Sequence, residues 1–84
     1  MTMTTQSIIF IRTRTYANAI YLYGTNRLTA RTENGVTYTG VASGYYTPVE
    51  QYAATNFSKY QIDMALSSGY LTQQEYDETM AYVI

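Results

Sequence analysis

The chain has no histidine, no cysteine and no tryptophan, a single proline, and only 13% charged residues. Each absence closes a class of chemistry. Without cysteine there is no disulfide framework and no thiol nucleophile. Without histidine as well, there is no His/Cys zinc site and no Ser-His dyad. The charged fraction is well below the roughly 25% usual for globular chains. Long apolar runs are missing too. The stretch Ile8-Ile9-Phe10-Ile11 stops at Arg12, far short of the ~20 residues needed to span a bilayer. The segment Met1-Thr2-Met3-Thr4-Thr5-Gln6-Ser7 lacks the basic start of an export signal. The expected location is a cytoplasm-like environment, unless the chain leaves it as part of a particle.

What is present is distinctive. The 84 residues include 11 tyrosines and, by direct count, 14 threonines. Tyr, Ile, Val and Leu are too abundant for a disordered chain. One small domain, 1–84, is expected, burying about 60–65% of its unfolded surface. Net charge is −1, but it is unevenly spread. Arg12, Arg14, Arg27 and Arg31 face only Glu33 in the first half. Lys59 faces Glu50, Asp63, Glu75, Asp77 and Glu78 in the second. Either the halves pack together and their fields cancel, or opposite faces carry opposite charge and favour head-to-tail contact between copies.

The first half reads as strands. Residues 7–15 are rich in β-branched side chains, and 19–23, 27–32 and 36–42 follow between turn signals. Glu33-Asn34-Gly35 is the strongest of these signals, because Asn-Gly tolerates the positive φ of a tight hairpin. The second half reads as helices. Thr47-Pro48-Val49-Glu50 resembles a capping box, Ser58 is a candidate cap for 59–68, and Gly69 suits a left-handed stop. Thr72-Gln73-Gln74-Glu75 is a further capping box, opening a helix to about Tyr82. The expected class is therefore α+β. A four-stranded antiparallel meander over 7–42 would be followed by two to three short helices over 47–82, packed on one sheet face.

The stretch Phe57 to Met80 reads FSKYQIDMALSSGYLTQQEYDETM. Its pattern of Ser58, Gln61 and Ile62, then Gly69, Leu71, Thr72, Glu75 and Tyr76, resembles the phage-encoded XkdX family of very short tail-region proteins. The same helix-Gly-Thr-helix logic occurs in short oligomerisation modules of the SHOCT type. The likeness covers 24 of the 84 residues. It implies a phage origin and a structural or interaction role near the virion, and it implies no catalytic residues.

Each candidate site also has a plainer role. Glu75, Asp77 and Glu78 form the densest acidic group, but helical spacing turns Asp77 away, which suits a cap and a solvated first turn. The four arginines with Tyr21, Tyr23 and Tyr38 could face nucleic acid. A pI near 5 and only five basic residues argue against it. The glycines fit no phosphate-binding spacing. No cofactor, no metal and no enzymatic activity are expected, and no membrane partner.

The tyrosines carry the functional expectation. Tyr supplies large contact area at low entropic cost, and a monomer with so few charges would have a sticky surface. The expected contact residues are Arg12, Arg14, Tyr21, Tyr23, Tyr45, Tyr46 and Tyr76. Their partners would be copies of the chain or other phage structural proteins, in a head-decoration, connector or tail-associated role. The alternative is a soluble anti-defence or host-takeover inhibitor that binds a protein in the host cytoplasm.

Overall fold

A computed structural model describes residues 5–83, with side chains from Phe10 onward. The reading of Met1–Thr4 as leaderless, and the side chains of Ile8 and Ile9, lie outside these described residues. The described residues open not with a strand but with a helix, α1 (Thr5–Ala17), which continues into a π-helix over Asn18–Tyr23. The strands expected over 7–15 and 19–23 are therefore corrected to helix. The physical reason is burial. Among the described side chains of this segment, Thr13, Ala17, Ile20 and Tyr21 are buried, and they recur three and four apart, the period of a helix face. That stripe outweighs the β-branched propensity of Ile and Thr, which is a weak, context-dependent preference. Thr15 also turns its hydroxyl onto the Ile11 carbonyl one helical turn back, at 3.0 Å.

The π-helix ends at Gly24, whose φ of 65° is left-handed. The Ala19 carbonyl accepts from the N–H groups of both Gly24 and Thr25. The chain then forms one antiparallel hairpin, β1 (Arg31–Glu33) and β2 (Val36–Tyr38), in the register Arg31–Tyr38, Thr32–Thr37 and Glu33–Val36. Asn34 and Gly35 both take positive φ at its turn, as the Asn-Gly signal requires. The expected strands 27–32 and 36–42 are thus shortened to three residues each. Beyond the ladder, one bond from Val41 N–H to the Leu28 carbonyl, 3.1 Å, keeps the two arms together.

A short 3-10 turn (Ser43–Tyr45) leads into α2 (Tyr46–Asn56), followed by α3 (Lys59–Ser67) and α4 (Gln73–Met80). Ser58 and Thr72 both form complete capping boxes, with Gln61 and Glu75 as reciprocal partners. Gly69 takes a φ of 81° after α3. The first box is corrected: α2 begins at Tyr46 with no side-chain cap, so Thr47 and Pro48 lie inside its first turn and Glu50 is buried. The class is α+β, with helices dominating and a two-stranded sheet. The helices pack on one another rather than on a sheet face. α2 lies between α1 and α4, and α3 rests against the π-helix. Ile20, Tyr21, Leu28, Val49, Ala53, Ile62, Ala65 and Leu71 form the core where they meet.

Candidate interaction surface and the polar network beneath it

The hairpin is held to the helices by its charges. Arg27 is buried, its guanidinium lying 3.9 Å from the Tyr38 ring centroid on one side and 5.3 Å from that of Tyr70 on another. Its Nε donates to Glu33 at 2.7 Å, and its Nη1 donates to the carbonyls of Gly24 and Asn26. Arg31 donates to the Tyr70 carbonyl at 2.9 Å and to Glu75 Oε1 at 3.3 Å. Glu75 is the hub of this network. It also accepts from the Thr72 backbone N–H and from the Thr29 hydroxyl. Both arginines are thereby spent on structure, which removes them from the nucleic-acid face that the sequence offered.

A second polar group lies deeper. Thr79 donates its hydroxyl to the Glu75 carbonyl at 2.9 Å, so Tyr21 must donate to Thr79 across their 2.6 Å contact. Burial raises the Tyr21 phenol well above its ordinary value. Glu50 is 4% exposed and its Oε2 has no hydrogen-bond partner among the described residues. Burial first, and the Glu78 carboxyl beside it second, push its pKa up to about 8. At neutral pH Glu50 is thus a neutral acid. Among the described residues no three acidic side chains converge to hold a metal ion.

The surface is where the remaining rings lie. Tyr23 is 68% exposed and lines a cleft with Arg14, Thr15 and Asn18, so two of the expected contact residues do meet. Arg12 is also exposed, but the helix turns it away from Arg14, which a strand would have placed on the same face. Tyr21 is corrected from a contact residue to a core one, since it is 2% exposed. Tyr45 and Tyr46 are half-buried against the core, Tyr45 meeting Tyr16 edge-on at 5.1 Å. Tyr76 is half-buried, and its hydroxyl donates to Asp63 at 2.5 Å, stitching α4 to α3. Lys59 pairs with the other oxygen of Asp63 at 2.7 Å. That cation and the Tyr76 hydroxyl hold the Asp63 carboxyl below the usual carboxylate range.

Sequence reasoning missed an apolar surface groove. A groove of about 370 Å³ runs between α1 and α2, lined by Phe10, Thr13, Pro48, Gln51, Tyr52, Thr55 and Asn56. Phe10 is 57% exposed and meets Tyr52 edge-on at 6.1 Å. A helical reading of Phe10, Thr13 and Ala17 would have found it, but the strand assignment hid that spacing. Tyr60 and Met64, one turn apart on α3, are a second exposed pair. Comparison with protein-family models, with curated proteins and with solved structures gave no match.

Proposed function

We propose that this chain is a non-enzymatic phage protein that works by protein–protein contact, as a minor virion component in a head-decoration, connector or tail-associated role. The observation that carries the reading is the exposure of large apolar side chains on a molecule with little charge. Phe10, Ile11, Tyr23, Tyr60, Met64 and Tyr82 are all at least 39% exposed. Contiguous apolar surface, as in the Phe10–Tyr52 groove, is characteristic of a chain that meets partners. The resemblance of 57–80 to the XkdX pattern supports the phage assignment, and the capping boxes at Ser58 and Thr72 are consistent with its helix-Gly-Thr-helix logic.

The polar groups support a structural role over a catalytic one. Arg27, Arg31 and Glu75 are engaged with one another or with the backbone, and Tyr21, Thr79 and Glu50 are buried. Catalysis would need such groups to face a substrate. The test is quantitative mass spectrometry of purified particles. A virion component appears there in a fixed ratio to a symmetric structural protein. A chain absent from particles that instead co-purifies with one host protein overturns the reading in favour of a host-directed inhibitor.

A further inference from the structure

The α1–α2 groove continues past Thr55. On the far side of that residue, Ala54 and Thr55 form a second concavity with Tyr82 and Val83, which follow α4. Thr55 is therefore shared by a groove on one side and by two partly exposed apolar residues on the other. Tyr82 and Val83 are 39% and 40% exposed. None of the residues lining either concavity is charged. We propose that this surface is the contact between two copies of the chain, related by a two-fold axis close to Thr55. Tyr82 and Val83 of each copy would then seat in the Phe10–Tyr52 groove of the other.

Charge complementarity favours a second copy as the occupant. The ion pairs among the described residues use Arg27, Arg31, Lys59, Glu33, Asp63 and Glu75. They leave Arg12 and Arg14 on α1, and Asp77 and Glu78 on α4, without an oppositely charged partner among the described residues. Glu78 lies one helical turn before Tyr82, and Arg14 lies one turn after Phe10. Seating Tyr82 of one copy beside Phe10 of the other brings an acidic helix to a basic one, twice, as two-fold symmetry requires. Within one molecule α2 stands between those two helices. The complementarity is thus met between copies rather than inside the monomer.

The inference deepens the contact role proposed above and rests on it. The chain has no cysteine, so single-cysteine variants report cleanly. Thr55 is exposed and central to the patch, and Ser67, exposed on α3, is a control away from it. In sedimentation velocity the full chain should run at twice its 9.6 kDa mass. Thr55→Arg should run as a monomer with an unchanged melting curve. Under mild oxidation Thr55→Cys should form a disulfide dimer roughly tenfold faster than Ser67→Cys or more, because the axis holds the two thiols together. A wild-type monomer at all concentrations, equal cross-linking at both positions, or a mass that grows beyond two copies would each overturn the proposal. A monomer still found in purified particles would remove the dimer and leave the virion role standing. A dimer absent from particles would do the reverse.

Discussion

The Tyr21 hydroxyl and the Thr79 hydroxyl meet at 2.6 Å in the buried interior, joining residues 58 positions apart. The proton order is set by Thr79, whose own hydrogen goes to the Glu75 carbonyl. One bond thus fastens the π-helix to α4, on opposite sides of the core.

That order predicts unequal costs. Tyr21→Phe leaves Thr79 still bonded and should cost about 1 kcal/mol. Thr79→Val strands a buried phenol without a partner and should cost about 1–3 kcal/mol. Thr79→Ser should recover part of the loss. Chemical denaturation of the two single variants and the double variant, read as a cycle, checks this. A Thr79→Val cost no larger than that of Tyr21→Phe would contradict the assigned direction.

Glu50 predicts a pH dependence of opposite sign to the usual one for carboxylates. Its pKa is pushed up to about 8 in the folded chain, from 4.5. The native state therefore binds the extra proton between those values. The stabilisation is complete below about pH 4.5 and is lost as pH rises through about 8. Stability should fall as pH rises through that window, on top of any other titrating group. Glu50→Gln should flatten the slope and be more stable than wild type at pH 8.5. Parallel slopes for wild type and variant in urea denaturation across pH would rule the mechanism out.

The two capping residues should differ in how far their loss spreads. Ser58→Ala removes an exposed cap and should cost about 1 kcal/mol. Glu75→Ala removes the reciprocal half of the Thr72 box and also the partner of Arg31 and Thr29. It should cost more, about 2–3 kcal/mol, because several hydrogen bonds to a buried carboxylate go at once while Arg31 keeps Glu33. Equal thermal shifts for the two variants would show that Glu75 acts only as a cap.

Two glycines with similar backbone angles should respond differently to alanine. Gly35 has φ 79° and open space around it, so Gly35→Ala should cost only the left-handed penalty of about 1–2 kcal/mol. Gly40 has φ 72°, and a Cβ there would lie 2.5 Å from the Ala30 backbone nitrogen. Backbone cannot step aside cheaply, so Gly40→Ala should lose a further 1–3 kcal/mol, roughly. Comparable melting temperatures for the two variants would contradict the close approach of residues 30 and 40.

The helical half was legible because its signals are local. Ser58, Gly69 and Thr72 act on backbone groups within a few residues, and so does the Asn34-Gly35 turn. The helical state of 7–15 and 19–23 is not legible because β-branched composition and helical spacing coexist there, and only the partner decides between them. Thr13, Ala17 and Ile20 bury against α2 and α3, elements more than 25 positions away. The same ambiguity hid the Phe10–Tyr52 groove and put Tyr21 on the surface. The bipolar charge was visible from the start. Which arginines are consumed was not, because Arg27 and Arg31 find Tyr38, Tyr70 and Glu75 only once the chain has folded.

The proposed role is contact through the exposed apolar surface within an assembled particle. Its most direct test is the copy number of the chain in purified particles, measured for wild type and for Thr55→Arg expressed to equal level. The account predicts a fixed, stoichiometric ratio for wild type and marked depletion for the variant, with both proteins folded. Particles that carry neither protein, while the soluble fraction holds both, would contradict it.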